Sequence, residues 1–133
     1  MSQLNFHNDN QLKPPPAGNL LIINKLVSAY KLWDNFKDHF PKKYKSLVIK
    51  IDALLIEILE LFFAASKLSG QRKLPILNKA SGKLDISKFF FQFAWDLKIL
   101  DNKKYILIAK GLVEIGKMLG NWLKSVEKQT LPK

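Results

Sequence analysis

Chemistry in this chain is carried by lysine. Lys42, Lys43 and Lys45 stand together, Arg72, Lys73, Lys79, Lys83 and Lys88 form a run in which Asp85 is the only acid, and Lys98, Lys103 and Lys104 form a third group. A lysine ammonium is a compact point charge suited to phosphate oxygens, whereas the forked guanidinium of arginine matches the acceptor pair on a guanine edge. Twenty-one lysines against one arginine therefore point to backbone contact with RNA or DNA, not to base reading. The excess is also uneven. Residues 1–66 hold eight basic and six acidic side chains and residues 67–133 fourteen and five, within a formal net charge of +11. A basic half of this kind fits a polyanionic partner; the plainer alternative is a basic solubilising surface.

Signals for catalysis are weak. The two histidines, His7 and His39, fall in a polar N-terminal stretch and at a helix end, with no nucleophile at a matching spacing. Asp52, Glu57, Glu60, Asp85, Asp96 and Glu114 do not form the Glu-x-x-His pattern of a metal-binding bundle and read as solvated or ion-paired. There is no cysteine, hence neither a disulfide framework nor a thiolate zinc site, as a reducing compartment allows. Gly111, Gly116 and Gly120 lie inside a helical pattern and not at its entry, where a phosphate-binding loop would need them. The expectation is a protein that is not an enzyme and uses no cofactor and no metal. No apolar run is long enough to cross a bilayer, and MSQLNFHNDNQLKPPP lacks the basic-then-apolar pattern of a secretory signal. A cytoplasmic protein without membrane contact is expected, with a membrane-surface binder as the weaker alternative.

The elements that must position these lysines are helices. Residues 1–18 read as a polar arm, since Pro14-Pro15-Pro16 favours an extended polyproline segment; residues 129–133 are a short tail. Between them, residues 19–128 form one helical domain. The first helix is predicted from Leu20 to about His39, capped by Asn19, with Ile23, Leu26, Tyr30, Trp33 and Phe36 at three-four spacing. Pro41 suits the first turn of the second helix, predicted over 42–67. Its core stripe is Tyr44, Leu47, Val48, Ile51, Leu54, Leu55, Ile58, Leu61 and Phe62. A third helical region, 72–100, places Leu77, Leu84, Phe91 and Trp95 on one side, with Ser81-Gly82 marking a bend or the end of a short first segment. The fourth helix, Asp101 to Val126, carries Tyr105, Ile108, Leu112, Ile115, Leu119, Trp122 and Val126 on one face, and Asp101 is its N-cap.

These helices with short connections predict an all-α fold, an antiparallel up-down four-helix bundle. Second apolar stripes then need a partner: Ile49, Ile56, Leu59 and Phe63 on the second helix, and Ile86, Phe90, Phe93 and Leu97 on the third. A bundle helix needs one stripe, and a second one left in water is a large apolar patch of the kind that marks an interface. Each interior glycine costs a helix about 1 kcal/mol relative to alanine, so Gly116 and Gly120 are expected where another backbone comes close. Together these residues predict a homo-oligomer.

FPKKYKSLVIKIDALLIEILELFFAA (Phe40 to Ala65), KLPILNKASGKLDISKFFFQFAWD and LKILDNKKYILIAKGLVEIGKMLGNWLKS (Leu97 to Ser125) resemble the accessory variability determinant proteins of diversity-generating retroelements. The match spans about residues 20–126, and Glu114 to Ser125 is its most specific part. The resemblance implies a ring-shaped homopentamer of basic four-helix subunits, encoded by a bacterium or phage. Its partners would be RNA or DNA and the element's reverse transcriptase, whose mutagenic cDNA synthesis it would support without being the polymerase. Where the family uses arginine and leucine this chain has lysine and Phe89-Phe90-Phe91, so the resemblance transfers no individual contact. Proteins of this family are similar to the wider family of four-helix proteins encoded by ribosomal RNA intervening sequences, with which they are readily confused. That wider family implies the alternative of a structural or ribosome-associated bundle.

Overall fold

The structure is a computed structural model and describes residues 17–129. The arm expected over 1–18, apart from Ala17 and Gly18, and the tail after Gln129 lie outside the described residues. Four helices, α1 (Ala17–Lys37), α2 (Lys45–Ser66), α3 (Lys73–Asp96) and α4 (Asn102–Gln129), are joined by short connections. Two connections contain a 3-10 turn, Lys42–Tyr44 before α2 and Gly70–Arg72 before α3. Pro41 lends its carbonyl to Tyr44 N–H at 2.9 Å, and its own missing amide is not needed there. Each helix packs on the next in the chain, and α4 packs back on α1.

The core follows the predicted periodicity. Ile51, Leu54, Leu55, Ile58 and Phe62 of α2 and Ile108, Leu112, Ile115, Leu119 and Val126 of α4 are buried. At its centre Trp33 meets the rings of Phe40 and Phe91 edge-on, both at 5.4 Å. The quadrupoles of such rings favour that approach over face-to-face stacking. Truncating Phe91 to alanine would cost roughly 3–5 kcal/mol through lost contacts and a residual cavity. Small side chains complete α3's inner face: Ala80, Ser87 and Ala94 are buried, and Ser87 Oγ donates to the Lys83 carbonyl at 2.9 Å.

One polar pin joins α1 to α2. Asp52 Oδ1 accepts from Tyr30 Oη at 2.7 Å, Trp33 Nε1 at 3.1 Å and Lys37 Nζ at 3.0 Å. Burial pushes the Asp52 carboxyl up, but the bonds from Tyr30, Lys37 and Trp33 outweigh it and hold the pKa below its usual value. Lys37 shows the mirror effect: burial opposes its charge, while Asp52, Asp34 and Tyr30 raise its pKa. Burial and the neighbouring Asp52 both raise Tyr30.

The helix ends depart from the sequence expectation in instructive ways. α3 runs unbroken through Ser81 and Gly82, because one glycine inside a helix lowers its stability without bending it. It stops at Asp96, four residues early. There Lys98 adopts a left-handed backbone, φ 63°, Lys98 N–H bonds the Trp95 carbonyl at 2.9 Å and Ile99 N–H the Ala94 carbonyl at 3.1 Å. That pair of bonds is a Schellman cap, which turns the chain so that Leu100 is buried. Trp95 therefore does not belong to the core: it is exposed, stacks on Tyr105 at 5.3 Å, and donates to Asn102 Oδ1 at 2.5 Å. α1 begins at Ala17, ahead of Asn19, so Asn19 is not its cap. Asp101 does cap α4, its Oδ1 accepting from Lys104 N–H at 2.8 Å.

Candidate nucleic-acid interface

The predicted basic residues separate into free and engaged groups. Lys42, Lys43 and Lys45 are exposed at the start of α2, and Arg72 and Lys79 are exposed on the approach to α3 and along it. Lys98 and Lys103 are exposed at the entry to α4, where Lys104 Nζ lies 5.6 Å from the Phe36 ring. That contact sets the start of α4 beside the end of α1, from which the chain passes directly into Lys42 and Lys43. Lys83 pairs with Glu57 at 3.1 Å. The half-buried Lys88 reaches across α4, its Nζ standing 3.0 Å from where a Cβ on Gly116 would be.

Lys73 has another task. Its ammonium donates to the Ala65 carbonyl at 2.7 Å and to the Leu68 carbonyl, and lies 6.0 Å from the Trp122 ring. The last carbonyls of α2 have no partner within the helix, and Lys73 satisfies two acceptors at that end. Burial lowers its pKa. Sequence spacing placed Lys73 in the phosphate-binding run; the fold turns it inward as a helix cap.

A row that the sequence analysis did not single out is the most regular feature of the surface. Lys103, Lys110, Lys117 and Lys124 recur every seven residues on α4 and all four are exposed. Seven residues advance an α-helix by about 10.5 Å and return nearly to the same face, so the four charges form one almost straight line. The ion pairs Lys25–Glu114, Lys37–Asp34, Lys37–Asp52 and Lys83–Glu57 do not involve this row. The seven-residue interval was the available signal, but the apolar stripe of the same helix masked it.

The apolar candidates also divide. Ile49, Ile56 and Phe63 are 57%, 42% and 49% exposed and line α2 at seven-residue intervals, with Lys45 and Lys67 only at the two ends of the line. Ile49 and Ile56, with Val48 and Ala53, edge a groove of about 580 Å³ that reaches Asp52 and Lys37. Ile86 and Phe93 are exposed on α3. Leu59 and Phe90 instead pack half-buried against the core, and Leu97 is half-buried at the α3 cap. Phe89, Ile106, Leu107 and Val113 are exposed apolar side chains beyond the predicted set.

Among the described residues the glycines of α4 do not mark a close backbone approach. A Cβ on Gly120 or Gly111 would meet nothing within 4 Å, and one on Gly116 would meet only the side chains of Lys88 and Leu84. Among the described residues no three His, Asp or Glu side chains gather as metal ligands, and no helix is long and apolar enough to cross a membrane. No protein-family model matches the chain, and no curated protein matches it.

Proposed function

We propose that this chain is a noncatalytic nucleic-acid-binding bundle that assists the reverse transcriptase of a diversity-generating retroelement in the cytoplasm. The observation that carries nucleic-acid binding is the exposed row Lys103, Lys110, Lys117 and Lys124, which takes part in none of the salt bridges found among the described residues, with the exposed Lys42, Lys43 and Lys45 near the entry of the same helix. Evenly spaced, exposed ammonium groups are what a phosphate backbone neutralises, releasing its condensed cations. The family resemblance supplies the reverse transcriptase and the retroelement.

The bundle is up-down and antiparallel in this reading. Facing pairs run in opposite order along neighbouring helices: Glu57 with Lys83 and Ala65 with Lys73, Gly116 with Lys88 and Asn102 with Trp95, Glu114 with Lys25 and Lys104 with Phe36. Subunits associate through the Ile49, Ile56 and Phe63 line into a ring, a pentamer by the family resemblance.

Titrating a fluorescent RNA and an unrelated DNA duplex at two salt concentrations tests the reading. Affinity should fall steeply with salt and differ little between sequences. Replacing Lys42, Lys43, Lys103 and Lys104 with glutamate should weaken binding and leave the oligomer intact. Absence of binding at low salt would remove nucleic acid from the function. A reverse-transcriptase gene with a template and variable repeat pair should lie beside this one; an insertion inside a ribosomal RNA gene would favour the intervening-sequence alternative.

A further inference from the structure

Exposed aromatic rings of α3 border a groove shared with α4, the helix that carries the lysine row. Phe89 is the most exposed large apolar side chain among the described residues, at 60%, and Phe93, one turn on, is 40% exposed. Their ring planes are parallel to within 1°, with centroids 6.4 Å apart. Phe90, half-buried against the core, braces Phe89 edge-on at 5.5 Å. Across a groove of about 310 Å³, Phe89 and Gln92 face Tyr105 and Val113 of α4. Ile106 and Val113 are themselves exposed; Lys110 lies one helical turn from both and Lys117 one turn beyond Val113.

We propose that this face binds single-stranded nucleic acid, with unpaired bases stacking on Phe89 and Phe93 and the phosphates following the lysines of α4. The inference rests on the nucleic-acid reading above and narrows it to strands whose bases are free. An electrostatic track beside aromatic platforms is the general solution for single strands, because every base offers a π-face whatever its sequence. A duplex buries those faces and would leave the two phenylalanines in water without a task. Asp85 lines the α3 side of the same groove and Asp96 is exposed at the end of α3; both carboxylates repel phosphate, which favours backbone along α4 and bases toward α3. A protein occupant fits less well, since lysine is depleted from interface centres and here a row of four borders the apolar strip. Phe93 is thereby assigned to the strand and not to a subunit contact.

Unstructured oligo-uridine and oligo-thymidine of equal length, each with an internal 2-aminopurine, and a DNA duplex as competitor distinguish the cases. Wild-type protein should bind both single strands more tightly than the duplex and quench 2-aminopurine; the tighter of the two identifies the polymer. The double variant F89L/F93L keeps a surface of similar polarity on exposed positions, and its melting curve should match wild type. It should lose roughly tenfold in single-strand affinity together with the quenching, while duplex binding and the salt slope stay unchanged. K110Q/K117Q should weaken single strand and duplex alike. Equal losses on single strand and duplex in F89L/F93L, or no loss, would overturn the stacking site while leaving nucleic-acid binding in place. A change of oligomeric state without a change in binding would make the face a protein interface and overturn it as well. If wild type binds neither the single strands nor the duplex, both readings fall together; binding to the duplex alone overturns only the stacking site.

Discussion

α2 and α4 each carry an exposed line with a seven-residue period, and the two lines have opposite chemistry. On α2 the line is Ile49, Ile56 and Phe63; on α4 it is Lys103, Lys110, Lys117 and Lys124. The same geometry, about 10.5 Å per step along one face, gives one helix a surface that water rejects and the other a surface that attracts polyanions. Both helices bury a conventional stripe on their inner side, so neither outer line is needed to hold the subunit together. The difference teaches that an outer line can be altered without unfolding the bundle, which makes each testable alone.

The largest effect is expected from reversing the chemistry of the α2 line. I49E/I56E should leave helicity and secondary structure intact but dissociate the assembly, raising the dissociation constant by about a thousandfold or more, because two carboxylates would have to be buried without partners. Sedimentation velocity reads the outcome directly; an unchanged oligomer would move the subunit contact elsewhere. Neutralising the α4 line as K103Q/K110Q/K117Q/K124Q should do the reverse. The oligomer should persist, while the salt slope for a single strand falls by up to about 3, near 0.7 for each lost phosphate contact. A slope that does not change would show that phosphates do not follow this row.

A smaller effect comes from beneath the α2 line, where Asp52 pins α1 to the groove edged by Ile49 and Ile56. D52N should cost about 2 kcal/mol at neutral pH, since hydrogen bonds to a charged acceptor are stronger than those to a neutral one. The native carboxyl pKa is depressed, so the charged form is the one folding favours. That stabilisation is complete above the ordinary carboxyl value of 3.8 and is lost as pH falls through the lower native value. The stability gap between wild type and D52N in urea should therefore close on acidification below that point. A gap that persists in acid would assign the effect to packing and not to the charge.

The legibility of the molecule followed the strength of its periodic signals. The inner stripes of α2 and α4 and the cap at Asp101 were readable because apolar spacing and capping chemistry are local. The α3 boundary was not, because Lys98 is an unusual residue for a left-handed cap and no glycine announces the stop. Trp95 fitted the core period yet sits beyond the last inward turn. Lys73 was indistinguishable in sequence from its neighbours, since only the fold brings the α2 carbonyls within its reach. The α4 lysines and their seven-residue interval were both present in the sequence, but the stronger apolar stripe of the same helix masked the line they form.

The smallest predicted change bears on the glycines of α4, which helix propensity makes costly and which the subunit leaves without a close neighbour at Gly120. G120A should raise stability by about 1 kcal/mol, a shift of about 4 °C in melting temperature for a domain of this size. In the I49E/I56E background that gain measures the subunit alone, because the proposed α2 contact would be gone. The assembled protein should show the same gain if α2 carries the association and α4 is reserved for the polyanion. Should G120A instead weaken the assembly while stabilising the monomer, the added methyl would be striking a neighbouring subunit. The glycines would then mark an interface on α4 itself, and the division between an apolar α2 line and a basic α4 line would fail at that point.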